Sequence, residues 1–356
     1  MRILMVGGTP LYPGGVEAFC ERSRQAMVRQ CDWEIWHMPA DTSFLKLAQV
    51  PALLKRLSSL ISYRRKGVDC LWLQYVCFPD LAYLFVAKLC GFTVMVTPHL
   101  GSNWRSQANP ILRVCSGWLL ALADRLALIS RTQELEINLP KRVPRSAIRT
   151  FLPENVLTGD IPDSVGQPPT IQLIHSGRLS DGKGTFLFLD VCRDLQAAGV
   201  PFRAKITGGA DEATYARIRA MIAAYSLQDR VTLLGRVSDE ELLRLLSASD
   251  ILVHLSKIDS YPLIVLESIA CSMFPICIDL AGASDMLTTY TGHVVTGREA
   301  VAQTVEFVSR QQVREIRAVS KEAALRVRKD YAWARCVCAV QAAILETVQK
   351  PEAATA

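Results

Sequence analysis

The order of secondary-structure signals along this sequence limits its fold more than any other feature. Apolar runs with the character of buried strands alternate with stretches of helical spacing. In the first half the strand-like runs are Arg2–Val6, Cys70–Gln74, Phe92–Val96 and the end of Leu119–Ile129; in the second half they are Ile171–His175, Phe202–Ile206, Val231–Leu234, Ile251–Leu255 and Pro275–Asp279. This rhythm is typical of parallel sheets covered by helices. The sequence therefore predicts an α/β protein with two doubly wound Rossmann-like domains.

A segment rich in proline and glycine, residues 157–170, separates the two halves and is typical of a linker. We predict a first domain over residues 1–165 and a second over 166–330. A last helix over 331–349 and a flexible tail over 350–356 complete the 356-residue chain. Two such domains facing each other place a ligand in the cleft at the carboxyl ends of their strands.

Charge is distributed unevenly between the halves. Residues 1–166 carry 19 Lys and Arg against 13 Asp and Glu, and the rest of the chain carries 21 of each, so the first half holds the whole net charge of +6. This excess is too small for a nucleic-acid partner, but it indicates that the first half meets something anionic.

Eleven cysteines are scattered along the chain, and the close pair Cys336 and Cys338 has no common metal or redox spacing. They are predicted to be reduced, mostly buried thiols in a cytoplasmic protein. The apolar run at the N-terminus is too short for a signal peptide, and no run of 18 apolar residues lacks charge, so we expect no membrane-spanning segment.

The strongest chemical motif follows the run Ile251–Leu255. It consists of Asp259, Ser260, Tyr261, Pro262 and Leu263, with Glu267 after them. Proline suits the first position of a helix, and the free N–H groups there favour an anion. The two acids can face one cleft and hold the hydroxyls of a sugar and of a ribose. From spacing alone, the simpler interpretation is that Asp259 is a surface acid and that Glu267 lies on a solvated helix face.

Two cations form a second motif. Arg178 and Lys183 bracket a glycine-containing turn directly after the run Ile171–His175, where they could clamp a diphosphate. The Walker spacing is absent, and a solvated basic turn fits the pattern equally well.

The first half contributes two weaker signals. Pro13, Gly14 and Gly15 lie between the first strand and the first helix, and glycines there let a ligand approach the backbone. The spacing Gly-x-Gly-x-x-Gly is absent, which disfavours a nicotinamide cofactor. His99 follows the run Phe92–Val96 at the expected ligand edge, although a lone histidine is more often structural.

Taken in order, these motifs resemble those of the retaining glycosyltransferases of GT-B fold, in family four, the group 1 enzymes. Gly177-Arg178-Leu179 with Lys183-Gly184 resembles the phosphate clamp of that family, and Asp259 and Glu267 occupy the acid positions of its Glu-x7-Glu motif. Asp259 departs from the family's glutamate and is shorter by one methylene. The usual Pro-Asn-Gly is replaced by Pro153-Glu154-Asn155, and Ser272–Pro275 lacks the usual glycine.

The resemblance implies a role for each candidate residue. Catalytic roles are implied for His99, Asp259 and Glu267; donor-binding roles are implied for Gly14, Gly15, Arg178, Lys183, Gly209, Ser260, Tyr261, Pro262, Leu263 and Glu267. The first domain would then face the acceptor, the second would bind the nucleotide sugar, and the last helix would pack back on the first domain.

The same resemblance implies retaining transfer of a hexose, without metal or cofactor, in polysaccharide biosynthesis. The donor would be a UDP- or GDP-linked sugar, and the acceptor a lipid-linked or cell-surface glycan. A non-catalytic nucleotide-sugar-binding protein and a nucleotide-sugar 2-epimerase of the same fold remain open alternatives.

Residues 46–66 combine six cations with leucines and Ile61. The cations are Lys46, Lys55, Arg56, Arg64, Arg65 and Lys66. The region is typical of a basic amphipathic helix that lies on an anionic membrane surface or meets a lipid diphosphate. It predicts a peripheral position on the inner face of the membrane, whereas an ordinary surface helix is the alternative.

Overall fold

Two six-stranded parallel sheets form the framework of the described chain. The structure is a computed structural model that describes residues 1–9, 14–42, 49–161 and 170–349. The strands are β1 (Arg2–Val6), β2 (Glu34–Met38), β3 (Cys70–Tyr75), β4 (Val94–Pro98), β5 (Arg125–Leu128), β6 (Arg145–Ala147), β7 (Ile171–Ser176), β8 (Phe202–Thr207), β9 (Val231–Gly235), β10 (Ile251–His254), β11 (Phe274–Ile278) and β12 (His293–Val295). The first sheet has the order β2-β1-β3-β4-β5-β6 and the second β12-β11-β10-β7-β8-β9. The predicted α/β class is confirmed.

Helices connect the strands. They are α1 (Gly15–Gln30), α2 (Val50–Arg65), α3 (Leu81–Leu89), α4 (Arg105–Ala108), α5 (Pro110–Leu120), α6 (Gln133–Glu136), α7 (Glu154–Thr158), α8 (Thr185–Ala197), α9 (Glu212–Ala224), α10 (Asp239–Ser247), α11 (Leu263–Ala270), α12 (Ala281–Thr289), α13 (Ala300–Arg310), α14 (Val313–Asp330) and α15 (Trp333–Val348). Within the described ranges, no helix is both long enough and apolar enough to cross a bilayer.

The chain divides into two units, and the division lies earlier than the predicted boundary at residue 165. The first unit comprises Met1–Leu152 and the chain from Tyr331 onward, and the second comprises Pro153–Asp330. The early division follows from α7, which packs against α11 and α14 of the second unit. The guanidinium of Arg328 on α14 also donates to the carbonyl of Gly159, directly after α7. Residues 162–169 and the predicted tail 350–356 lie outside the described residues.

Helix α15 belongs to the first unit, where it packs against α1 and several strands of the first sheet. The indole N–H of Trp333, at the start of this helix, donates to the carbonyl of Leu152 at 2.9 Å. Burial of Trp333 and of the helix residues Val337, Val340 and Ile344 stabilises this position.

The strand predictions were least accurate at the sheet edges. Strands β2, β6 and β12 were not predicted, and each lies at the edge of its sheet, where partly exposed residues hide the apolar signal. The run Phe92–Val96 was also misplaced, because the amide of Phe92 closes α3 by donating to the carbonyl of Ala87 at 3.0 Å. The strand β4 therefore begins two residues later, at Val94.

All eleven cysteines are free thiols. Six are buried, four are half-buried and Cys338 is exposed. Burial raises the pKa of Cys70 and of Cys336 to about 12, so these thiols remain protonated at neutral pH.

Candidate functional site

The topology of the second sheet selects the place where its ligand should bind. Starting from β7, the chain builds β8 and β9 on one side, then returns to place β10, β11 and β12 on the other. Strands β7 and β10 are therefore neighbours at the point where the strand order reverses. In open parallel sheets the crevice at the carboxyl ends of two such strands is the usual ligand site.

The loops that leave β7 and β10 are joined backbone to backbone. The amide of Lys257 donates to the carbonyl of Gly182 at 2.9 Å. Gly184 has a left-handed conformation, with φ of 78°, and a Cβ at this position would collide with the carbonyl of Leu255. Glycine is thus required for the two loops to approach each other so closely.

This approach brings together three side chains, one from each loop and one from the end of β10. The ammonium of Lys183 forms an ion pair with Oδ1 of Asp259, and Nε2 of His254 lies 2.9 Å from Oδ2 of the same carboxylate. The exposed fractions of the Lys183, Asp259 and His254 side chains are 23%, 19% and 4%. The histidine therefore forms the closed end of the group, and the lysine forms its solvent-accessible end.

The carboxyl of Asp259 is held in its ionised form. Burial alone would raise its pKa, but the hydrogen bond and charge of His254 and the charge of Lys183 outweigh that effect and hold the pKa well below its usual range. The interpretation of Asp259 as an isolated surface acid is therefore wrong. The alternative of a solvated basic turn does not hold for Lys183, because in this structure its side chain is largely buried and Asp259 offsets its charge.

Arg178 differs from Lys183 in this respect. Its side chain is exposed and forms no hydrogen bond or ion pair with the described residues. Its turn is fixed by backbone contacts: the amide of Gly177 donates to the carbonyl of Thr207 at 3.2 Å, and the amide of Leu179 donates to that of Gly209 at 3.0 Å. Gly209 therefore helps to set the position of the arginine in addition to its predicted contact with a donor.

The remaining residues of the motif follow Asp259 directly. Ser260, Tyr261 and Leu263 are half-buried, and Pro262 is buried. Pro262 has an extended conformation and precedes the first helical residue of α11, so it stands one position earlier than predicted. Helix α12 approaches the same loop through Gly282, where a Cβ would collide with the carbonyl of Ser260.

Glu267 lies on the second turn of α11, as its position after Pro262 predicted. Its side chain is 6% exposed. The interpretation that places this acid on a solvated helix face is therefore wrong. Burial of a carboxylate is costly unless the group has a polar or charged partner, and Glu267 has one among the described residues. Its burial is therefore part of how this loop–helix junction is organised.

In the first unit, the candidate residues follow the first and fourth strands. Gly14 and Gly15 stand at the N-terminus of α1, and Pro13 lies outside the described residues. The ring of His99 packs edge-on against Phe19, and its Nε2 lies 2.8 Å from Oε1 of Gln74. Burial lowers the pKa of His99 to about 3, so the ring is neutral at physiological pH.

Sequence reasoning missed two partners of the candidate residues. His254 was not identified from the sequence, yet it is the last residue of β10 and lies five positions before Asp259. Gln74 is a fully buried amide within the apolar strand β3. A polar residue near the carboxyl end of an otherwise apolar strand is the signal that could have identified both.

The described residues contain no cluster of three or more His, Cys, Asp or Glu side chains that could hold a metal ion.

Residues 161–326, which include Lys183, His254 and Asp259, match the sequence profile of the family described as glycosyl transferases group 1. This segment, a little under half of the chain, is therefore similar to the group 1 glycosyl transferases. Its fold is GT-B, since similar solved structures include sucrose-phosphate synthase from Thermosynechococcus elongatus, with a TM-score of 0.74 and 17% identity over 96% of this chain and 98% of that one. Another is HepE of Anabaena in complex with UDP and glucose, with a TM-score of 0.74 and 15% identity over 97% of this chain and 100% of that one.

Two curated relatives resemble parts of this chain. A putative colanic acid biosynthesis glycosyltransferase of Escherichia coli, WcaL, is 26% identical over 181 residues, which is 48% of this chain and 44% of that protein. One of the subunits of the phosphatidylinositol N-acetylglucosaminyltransferase of Arabidopsis thaliana is 24% identical over 207 residues, which is 57% of this chain and 45% of that protein. The match thus spans less than half the length of either relative.

Proposed function

We propose that this chain is a retaining glycosyltransferase that moves a hexose from a UDP- or GDP-linked sugar to a lipid-linked or cell-surface glycan. The observation that carries the proposal is that two cations follow β7 at the β7–β10 switch point. Arg178 has no side-chain partner among the described residues, and Lys183 belongs to the Lys183–Asp259–His254 group. The names of the relatives support the same reaction class, because one belongs to colanic acid biosynthesis and one solved neighbour holds UDP and glucose.

In this proposal, the cations stabilise charge that develops during the reaction. Cleavage of the bond between the anomeric carbon and the diphosphate leaves negative charge on the departing oxygens. Arg178 and Lys183 interact with that charge more strongly in the transition state than in the ground state, which is the kind of binding that accelerates a reaction. Backbone N–H groups at the start of α11 add to this stabilisation.

Lys183 would exchange partners when the donor binds. In the structure its ammonium neutralises Oδ1 of Asp259. A diphosphate carries more negative charge than one carboxylate and attracts the ammonium toward itself, which releases Oδ1 to accept hydrogen bonds from sugar hydroxyls. His254 would keep Oδ2 in place during the exchange, and Glu267 would hold the ribose.

Retention follows in this scheme without a covalent intermediate. The acceptor hydroxyl attacks the anomeric carbon from the face that the diphosphate leaves, and the leaving phosphate oxygen takes the acceptor's proton. For His99, Gly14 and Gly15 of the first unit, the proposal keeps the sugar-facing and diphosphate-facing roles that the family resemblance implies.

A panel of UDP-, GDP- and ADP-sugars tests the proposal. We expect one donor class to raise the melting temperature and to release nucleoside diphosphate only when a glycan acceptor is present. Arg178→Ala should lower kcat/KM by about a hundredfold, on the scale of other lost electrostatic contacts to a transition state. Arg298→Ala is the matched control, because Arg298 is an exposed cation in the short 3-10 helix Gly297–Glu299 of the same unit.

Each other outcome of this panel contradicts the proposal in a distinct way. Interconversion of the donor without acceptor would identify a 2-epimerase, and donor binding without turnover on any acceptor would identify a non-catalytic member. Inverted anomeric configuration of the product, read by proton NMR, would exclude retention. Loss of turnover with a chelator, restored by a divalent cation, would exclude the metal-independent mechanism.

A further inference from the structure

One face of the first sheet is covered by three neighbouring helices, α2, α3 and α5. Helix α3 packs against α2 on one side and against α5 on the other. Their inward side chains, such as Leu60, Leu84 and Leu120, are fully buried in the core of the first unit. We call the outward side of these three helices the α2-α3-α5 face.

The α2-α3-α5 face is apolar where a soluble protein usually has polar side chains. Its exposed large hydrophobic residues are Leu54 and Ile61 on α2, Phe85 and Leu89 on α3, and Ile111, Val114 and Trp118 on α5. Those on α5 recur at positions i, i+3 and i+7, so they form one stripe. Trp118 is 75% exposed and Ile111 is 72% exposed, so these side chains are not the rim of the core. Contiguous exposed apolar surface of this kind marks an interaction site.

The charges on the same helices all have one sign. Helices α2, α3 and α5 contain six Lys and Arg residues and no Asp or Glu. Arg56 and Lys88 are tied to Asp41 and Asp124. Lys55, Arg65 and Arg113 are exposed and form no ion pair within the described part of the chain.

Exposed apolar residues elsewhere in the chain have different surroundings. On α14 of the second unit, Val319 and Leu325 are 52% and 58% exposed. They are interspersed with acids and bases in the sequence VREIRAVSKEAALRVRKD. The absence of acids from helices α2, α3 and α5 is therefore a local property and does not reflect the composition of the whole chain.

We infer that the α2-α3-α5 face docks on the surface of an anionic lipid bilayer. Apolar and aromatic side chains enter the boundary between headgroups and acyl chains, while lysines and arginines around them meet lipid phosphates. A second copy of this face would bring like charges together, whereas an anionic bilayer matches both the apolar side chains and the cations around them. The inference extends the membrane surface predicted for residues 46–66, of which 46–48 lie outside the described residues, to two helices that the sequence did not suggest.

Vesicle flotation tests this inference without any turnover, so its outcome is independent of the proposed transfer reaction. We expect the full chain to float with phosphatidylcholine vesicles that contain about 30% phosphatidylglycerol at low salt, and to bind much less to pure phosphatidylcholine. Salt at about 0.5 M should weaken the binding without abolishing it, because the apolar contribution is not screened.

Paired variants separate the apolar and the charged contributions. Ile111→Ser with Trp118→Ser should reduce vesicle binding at least about tenfold, whereas Val319→Ser with Leu325→Ser, the matched change on α14, should leave it unchanged. Lys55→Glu with Arg65→Glu should remove the preference for anionic lipid, with Arg298→Glu as control. All of these side chains point outward, so melting temperatures should stay near that of the parent chain.

Fluorescence gives a second readout that does not depend on the affinity. Brominated phosphatidylglycerol should quench tryptophan emission, and Trp118→Phe should keep vesicle binding while losing most of that quenching. Failure to float with anionic vesicles would overturn the inference. So would a dimer that vesicles do not dissociate and that Trp118→Ser converts to monomer, because the face would then be an interface between copies.

Discussion

Nε2 of His254 lies 2.9 Å from Oδ2 of Asp259, so the last residue of a buried strand holds one oxygen of the carboxylate that follows it. The other oxygen meets Lys183 from a neighbouring loop. The histidine is almost fully buried, while the lysine is partly exposed to solvent. The carboxylate thus has one permanent partner and one that a ligand can replace.

This arrangement predicts different consequences for replacing His254 by leucine and by glutamine. Leucine cannot donate to Asp259, so the carboxylate should lose its fixed orientation and the KM for the nucleotide sugar should rise about tenfold, the cost of a hydrogen bond to a charged group. Glutamine carries an N–H at a similar distance along the side chain and should restore part of the affinity. Steady-state kinetics with the best donor of the panel measures both values.

A calorimetric titration with the free nucleoside diphosphate distinguishes positioning from general damage to the site. His254→Leu should leave this affinity unchanged, because His254 acts through Asp259 on the sugar and not on the diphosphate. Equal losses for the nucleotide sugar and for the free diphosphate would contradict the positioning role.

Asp259→Asn should separate binding of the diphosphate from transfer. The substitution removes the charge that occupies Lys183, so the free nucleoside diphosphate should bind several-fold more tightly. Transfer should fall about a hundredfold, because a neutral amide oxygen accepts hydrogen bonds from sugar hydroxyls more weakly than a carboxylate does and no longer holds His254 in position. Asp259→Glu retains the charge and should lower transfer less. If Asn at this position weakens diphosphate binding instead, Lys183 does not exchange partners as proposed.

The limits of sequence reasoning are visible in the same group. Asp259 and Lys183 were each identified from the sequence, but their ion pair joins residues 76 positions apart. That contact depends on the strand order that makes β7 and β10 neighbours, and on Gly184, which lets the two loops approach each other. Local patterns predict the central strands because burial on both faces makes them continuously apolar. The edge strands β2, β6 and β12 and the partner His254 needed tertiary information.

The apolar stripe on α5 was missed for a related reason. The run from Pro110 to Leu120 is apolar on both its inner and its outer side, so its composition is that of a buried helix. Only the packing of α5 against α3 shows that Ile111, Val114 and Trp118 remain outside the core.

Two adjacent glycines make a matched test of the turn that holds Arg178. Gly208 has φ of 143°, and a Cβ there would collide with the carbonyl of Gly177, whereas a Cβ at Gly209 meets no atom within 4 Å. Gly208→Ala should therefore lower the free energy of unfolding by about 3 kcal/mol, as for other forced overpacking against backbone. Gly209→Ala should fold like the parent chain and weaken donor binding only, if the donor approaches this glycine. Urea unfolding and donor titration of both variants give the comparison, and equal stability of the two would contradict the geometry.

The buried ring of His175 should make the stability of the second unit depend on pH. Its buried ring lies between the carbonyl of Val253, 3.1 Å from Nδ1, and the hydroxyl of Thr185, 3.1 Å from Nε2. In the neutral ring Nδ1 donates to that carbonyl and Nε2 accepts from that hydroxyl, which in turn accepts from the amide of Ser180 at 3.0 Å. Burial lowers the pKa of His175 from 6.5 to about 4, because a charged ring would be desolvated there.

The sign of the effect follows from which state binds the proton. Above pH 6.5 the ring is neutral in both the folded and the unfolded chain, so its contribution to stability is fully present. Between pH 6.5 and about 4 only the unfolded chain takes up the proton, so this contribution is progressively lost as the pH falls. The loss should approach about 1.4 kcal/mol per pH unit within that window. His175→Gln cannot take up a proton, so its free energy of unfolding, measured in urea at several pH values, should fall less steeply than that of the parent chain below pH 6.5. Parallel curves for the two proteins would show that the ring is not held neutral by the fold.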